Sequence, residues 1–251
     1  MFKLSYTPRI ILLVLVAIGT LIFVALSIFG ETLHNGIMGE NSIIEVFTAL
    51  GYLGGLLTAL YYIFKLPKAT KYTLFTFLWA ALCFVFFGEE TSWLQHLLGY
   101  STPTSIEGRN LQGEFNLHNL EGFMTTRGTG SVHDAIAEGG FNFRGLLSGQ
   151  NLFRLGFLSY FVLLPLLIHS LIRLNVLDYR KVKASFPLPS LDFVGAIVFV
   201  IGLSLVAYIA SPSARTEMTE VREMFYALFM FFYVYAYMPR SNRGAERQVT
   251  A

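Results

Sequence analysis

The sequence predicts an all-α integral membrane bundle of about six transmembrane helices, with one large outer loop between the third and the fourth. Three observations predict this class. Hydrophobic residue types make up 54% of the 251 residues and charged types 14%, about half of the roughly 25% that a globular chain carries. The apolar residues gather into runs of about the 20 residues that a membrane helix needs. Lysine and arginine divide unequally between the segments that join these runs.

Each predicted span is an apolar run too long for an ordinary amphipathic surface helix. The first is expected to be an uncleaved anchor, because its run exceeds the roughly 7–15 residues of a signal peptide's apolar region. In the second, Gly51 and Gly55 have the G-x-x-x-G spacing that lets helices approach closely. We treat residues 1–251 as a single transmembrane domain. The predicted spans are 10–29, 43–64, 72–90, 152–174, 191–210 and 219–238, and the predicted outer loop is 91–151.

The charge distribution predicts which side of the membrane each connection occupies. An even number of spans places both termini on one side. That side also holds 12 of the 18 lysine and arginine residues, whereas 13 of the 16 acidic residues lie on the other side. Because cytoplasmic loops are enriched in lysine and arginine, we expect cytoplasmic termini, a periplasmic loop 91–151 and a bacterial inner membrane. The net charge of +2 indicates no nucleic-acid partner, and a single cysteine, Cys83, excludes an intramolecular disulfide.

Six carboxylates near the outer ends of three spans are the candidate functional groups. In the last span Glu217, Glu220 and Glu223 have i, i+3, i+6 spacing, which places them within an arc of about 120°. Counted back from Met238, Glu220 lies near the outer boundary and Glu217 just outside it. A charged group at the centre of a membrane helix costs about 2.5–3.5 kcal/mol, so a carboxylate within a span indicates a functional or structural role. The other three are Glu45 at the start of the second span and Glu89 and Glu90 at the end of the third.

A packed cluster of carboxylates would repel itself. Protonation of some glutamates, loop arginines such as Arg109 or Arg127, or a bound cation would each relieve the repulsion. The outer loop also holds His96, His118 and His133, and mixed Glu, Asp and His ligation suits zinc, iron or manganese. The alternative is that these glutamates reach water at the boundary or pair with arginine. The predicted metal ligands are Glu89, Glu90, His96, His118, Glu220 and Glu223, and the predicted catalytic residues are Glu90, His118 and Glu220.

Two short motifs stand near the start of the outer loop: GEETSW at residues 88–93 and QGEFNLHN at residues 112–119. They resemble a pair of motifs found in uncharacterised bacterial polytopic membrane proteins. The resemblance implies the fold and the membrane setting, with no established activity. The chain is also faintly similar to alkaline ceramidase-like membrane hydrolases, but its last span has no histidine, so their zinc chemistry is not transferred. The residues that carry this second similarity are Glu90, Ser92, His96 and His118.

Two functions of different classes remain open at this point. The first is a metal-dependent hydrolase or transferase that acts on a membrane lipid through an outward site at headgroup level, with the outer loop as a lid. The second is a non-catalytic accessory subunit of a larger membrane complex, which docks through the outer loop. A third, a cation or proton pathway, is weakened because no ionisable residue lies in the middle of a span.

Overall fold

The structure is a computed structural model that describes residues 6–33, 43–65, 73–110, 113–116, 149–185, 187–211 and 215–249. Within these ranges the chain forms helices joined by turns, with no β-strand, so the predicted all-α class is confirmed. Four helices are long and apolar enough to cross a membrane, which supports an integral membrane protein. They are Pro8–Leu26, Ile43–Lys65, Asn151–Arg173 and Leu191–Ala210.

The helices follow one another in a simple order. Three long helices, α1, α2 and α3, come first, and short segments follow at the end of α3. One continuous helix then comprises α6, a π-helical segment and α7, and the chain closes with α8, α9 and α10. Their bounds are α1 Tyr6–Leu33, α2 Ile43–Lys65, α3 Thr73–Glu90, a 3₁₀ turn Ser92–Leu94, α4 Gln95–Leu98, α5 Thr104–Glu107, α6 Gly149–Leu158, the π segment Ser159–Leu163, α7 Leu164–Arg173, α8 Tyr179–Ser185, α9 Leu191–Ala210 and α10 Arg215–Val249.

All six predicted spans fall on helices, but only four of those helices meet the criteria of length and apolarity. The third and sixth spans correspond to α3 and α10, and their crossing of the membrane stays a prediction. Helix α10 extends beyond the predicted span 219–238 at both ends. The span was predicted from apolar composition, which indicates the part of a helix that can lie in hydrocarbon but does not define where the helix begins and ends. In the four apolar helices only 22–39% of the residues are buried within the protein. Most of their apolar side chains therefore face outward, where a bilayer would cover them.

The chain divides into two compact units, one formed by Met1–Phe84 with Phe161–Ala251 and the other by Val85–Tyr160. In the first unit α2 and α10 run parallel in close contact. Gly51 faces Ala227 and Gly55 faces Phe231, while the Tyr62 hydroxyl donates to the carbonyl of Tyr235 at 3.5 Å. A Cβ at residue 51 would lie 2.9 Å from the Ala227 Cβ and 3.1 Å from its carbonyl carbon. The G-x-x-x-G spacing of α2 thus serves helix packing, as its sequence predicts.

Helices α9 and α10 of the first unit are antiparallel and share an aromatic core. Tyr233 is fully buried and its ring lies 5.1 Å, centroid to centroid, from both Trp79 and Phe161. Its hydroxyl donates to the carbonyl of Pro187 at 2.7 Å. Ser190 caps α9 by accepting a hydrogen bond from the Phe193 amide at 3.3 Å, which explains why the helix begins at the next residue.

Gly51 provides a test of the contact between α2 and α10. We expect Gly51→Ala to lower the free energy of unfolding by about 1–3 kcal/mol, because the added methyl meets backbone atoms that cannot move aside cheaply. Gly195→Ala in α9 is the matched control, since a Cβ there meets nothing within 4 Å and alanine is the better helix former.

The measurement is thermal unfolding in detergent, followed by maleimide labelling of the buried Cys83. Equal labelling curves for the two variants would contradict the close approach of α2 and α10.

Candidate functional site

The turn that follows α3, in the second unit, has an unusual backbone. Ser92, Trp93 and Leu94 have φ angles of 45°, 55° and 64°, so three consecutive residues other than glycine occupy the left-handed region. Each such residue costs roughly 1–2 kcal/mol relative to its right-handed conformation. Elsewhere in the described part of the chain only Asn175 is a non-glycine residue with positive φ. Strain of this kind persists where surrounding contacts enforce it and is concentrated at functional sites.

Two aromatic side chains, Trp93 within the turn and Tyr100 after it, hold the turn against the end of α3. The Trp93 indole Nε1 donates to Glu89 Oε1 at 2.9 Å, and its ring covers Gly88, where a Cβ would lie 2.7 Å from a ring carbon. The Tyr100 hydroxyl lies 3.1 Å and 2.9 Å from the carbonyl oxygens of Ser92 and Trp93. The glycine, first glutamate, serine and tryptophan of GEETSW thus have direct structural roles.

Ser92 lies at the centre of a buried hydrogen-bond network. Its Oγ donates to Glu114 Oε2, and Asn116 Nδ2 donates to Ser92 Oγ at 3.2 Å and to the same carboxylate oxygen at 3.0 Å. Asn110 Nδ2 donates at 2.9 Å to both the carbonyl and the side-chain oxygen of Asn116. Ser92, Asn110 and Asn116 are buried. We call Ser92, Asn110, Glu114 and Asn116 the polar network.

Gln95 ties the polar network to α4. Its Nε2 donates to Thr102 Oγ1 at 2.8 Å, and its Oε1 accepts from the Phe115 amide at 2.7 Å. Thr102 in turn donates to the carbonyl of Gly113 at 2.7 Å. The described part of QGEFNLHN, residues 113–116, is therefore bound directly to the segment that follows GEETSW. The described parts of the two motifs, which are separated along the chain, therefore lie together.

The first unit contains a separate carboxylate cluster. Glu220 of α10 lies close enough to Glu45, Glu217 and Glu223 for their charges to act on it. This places the first turn of α2 beside the N-terminal part of α10, as their parallel packing requires. Glu217 is only 1% exposed, while the other three are half-buried. Among the residues that the structure describes, no group of three or more His, Cys, Asp or Glu side chains is placed to hold a metal ion.

The predicted site residues fall into three groups. Glu89 and Glu90 belong to the second unit, and Glu220 and Glu223 belong to the first. His118 and His133 lie outside the described residues, as does Arg127, and of His96 only the backbone, in α4, is described. A joint site of Glu90, His118 and Glu220 therefore stays a prediction, and so does the metal.

The sequence reasoning missed the residues that the second unit brings together. Glu114 and Asn116 occur inside QGEFNLHN, but within that motif only His118 was predicted to be a site residue. Asn110 and Gln95 carried no signal of their own. The one pointer was the pairing of the two motifs, which is explained by the hydrogen bond that Ser92 donates to Glu114 and the one that Gln95 accepts from Phe115.

Comparison with protein-family models, with curated protein sequences and with solved structures finds no match to this chain. The geometry of the chain itself therefore indicates what the site can do. In that geometry the Glu114 carboxylate is held by a hydroxyl and an amide donor in a fixed position. A carboxylate oriented in this way can position a polar substrate group or accept a proton from one.

Asn116→Asp tests whether the polar network enforces the strained turn. The change removes the amide donor and sets a second carboxylate beside Glu114, so we expect the local stability to fall by about 1–3 kcal/mol. Backbone amide exchange at Leu94, whose amide donates to the Thr91 carbonyl across the turn, should then accelerate roughly 5- to 150-fold.

Asn175→Asp is the matched control, because Asn175 is exposed and aspartate tolerates its left-handed conformation. Unchanged exchange at Leu94 in Asn116→Asp would show that the network does not hold the turn.

Proposed function

We propose that the protein is a six-span enzyme of the bacterial inner membrane that hydrolyses or transfers groups of a membrane lipid at headgroup level. The termini are cytoplasmic and the loop 91–151 is periplasmic in this proposal. The observation that carries it is the turn after α3, where three strained residues are enforced by a buried network containing a carboxylate. Strain maintained at such a cost favours a preorganised reaction site over a simple connection.

The position of this turn fits a lipid substrate. The Phe86 ring of α3 packs edge-on against Phe153 of α6 at 4.8 Å, so the end of α3 and the start of α6 lie at one level. Polar groups appear at that level on both helices, with Glu89 and Glu90 on α3 and Arg154 on α6. Charged groups collect where a span meets the headgroups, which favours a site at the membrane surface.

Glu90 is the proposed acid–base residue of the second unit. Glu89 accepts a hydrogen bond from Trp93 and so positions the turn. Glu90 follows it at the helix end and is half-buried, an environment in which a carboxylate can exchange a proton with water or with a lipid leaving group. His118 of the outer loop is the second member of the proposed catalytic set in this unit. A divalent transition metal held by Glu90 and His118 would supply Lewis-acid activation of a water molecule.

Lipid turnover by the purified protein tests this function. Full-length protein in vesicles of phosphatidylethanolamine and phosphatidylglycerol should release or transfer lipid fragments that mass spectrometry detects. We expect Glu90→Gln and His118→Ala each to lower the rate by about 10²-fold or more, the contribution of one acid–base group. Glu107→Gln changes an exposed carboxylate of α5 and should leave the rate unaltered.

Elemental analysis of the same preparations decides whether a metal takes part. About one zinc, iron or manganese per chain, lost in Glu90→Gln and His118→Ala, would establish a metal-dependent site. Turnover without bound metal would leave acid–base catalysis by the protein groups alone. Absence of turnover together with other subunits that co-purify in fixed stoichiometry would overturn the enzyme in favour of the accessory-subunit function.

A further inference from the structure

The segment from Ser92 to Tyr100 forms a closed loop at the end of α3. Its beginning is fixed because Trp93 packs on Gly88 and donates to Glu89. Its end is fixed because the Tyr100 hydroxyl reaches the carbonyl oxygens of Ser92 and Trp93. Helix α4 lies between these two attachments. It is therefore held close to the end of α3.

Helix α4 presents two different sides. Gln95 points into the second unit, where its side-chain amide is bound at both ends, to Thr102 and to the Phe115 amide. Leu97 and Leu98 point away from the unit and are 78% and 67% exposed. Adjacent leucines left in water forgo the free energy that burial of their side chains would supply. The polar attachment of Gln95 fixes this orientation, so the leucines cannot turn inward without breaking two hydrogen bonds.

The surroundings indicate lipid as the medium that covers these leucines. In the same unit Val85 of α3 and Leu152 and Leu155 of α6 are also exposed, and α6 begins one of the four helices apolar enough to cross a membrane. Helix α4 thus follows the end of α3 within a unit whose other helices also expose apolar side chains. Trp93 and Tyr100, at the two ends of the loop, are residue types enriched at membrane–water interfaces.

We infer that Leu97 and Leu98 form a membrane anchor that inserts into the boundary between headgroups and acyl chains beside α3. The inference rests on the proposed crossing of the membrane by α3. An anchor here fixes the height of the strained turn relative to the bilayer. Glu90, the proposed acid–base residue just before the turn, is then held at constant depth, where a lipid would reach it by lateral diffusion and not through water.

Site-directed spin labelling measures this depth directly. In a Cys83→Ala background, which removes the only native thiol, nitroxides are attached to Leu97→Cys and Leu98→Cys in full-length protein. The protein is reconstituted into vesicles of phosphatidylcholine and phosphatidylglycerol. Collision rates with oxygen, which concentrates in lipid, and with a nickel chelate, which stays in water, report the depth of each label.

Two reference positions keep the outcomes separate. Val85→Cys reports whether α3 lies in the bilayer, and Ser105→Cys, on the exposed polar helix α5, reports the aqueous limit. We expect the ratio of oxygen to nickel collisions at Leu97→Cys and Leu98→Cys to exceed that at Ser105→Cys severalfold and to approach that at Val85→Cys.

Ratios at Leu97→Cys and Leu98→Cys equal to the Ser105→Cys value, with Val85→Cys in lipid, would overturn the anchor and leave the proposed spans intact. Labels shielded from both reagents would also overturn it, because a second copy or another protein would then cover α4. A Val85→Cys label in water would overturn the crossing by α3, and the anchor with it.

Discussion

The high cost of a charge in hydrocarbon governs where polar chemistry can occur in this chain. The six glutamates that α2, α3 and the N-terminal part of α10 carry lie at a helix end or against another helix. None of them lies in the middle of an apolar helix. Between those ends the helices associate mainly through close packing, because lipid is as apolar as leucine and gives no hydrophobic reason to associate. That explains why the contact between α2 and α10 uses glycine against alanine, and why the core around Tyr233 is a set of interlocking aromatic rings.

The same constraint gives the turn after α3 its importance. A helix can end in water-exposed coil at no particular cost, yet here the chain passes through three left-handed residues and closes on itself. The strain is offset by the hydrogen bonds that Trp93 donates to Glu89, Tyr100 to the carbonyl oxygens of Ser92 and Trp93, and Asn116 to Ser92 Oγ. Gln95 adds a bond that it accepts from the Phe115 amide. A buried network of this kind is stable only when all its members are satisfied, so the turn is either formed completely or lost.

The sequence predicts the apolar helices and their packing better than it predicts the site. Runs of apolar residues located α1, α2, α9 and the helix from residue 149 to residue 173, and the spacing of Gly51 and Gly55 anticipated a close contact. The polar network was beyond this reasoning for a physical reason. Ser92 and Glu114 are 22 residues apart and meet only because the backbone adopts φ > 0, which glycine would signal but serine, tryptophan and leucine do not.

Glu217 shows how tertiary packing changes the surroundings that a residue's position in the sequence predicts. Its distance from Met238 placed it just outside the membrane boundary, where a glutamate would reach water. Instead Glu217 is almost completely buried in the first unit, in electrostatic contact with Glu220. Solvation at the boundary therefore does not account for Glu217, and a charge there must be compensated by groups of the protein. The parallel packing of α2 and α10 brings Glu45 to the same place, so the cluster results from the helix contact that the glycines make possible.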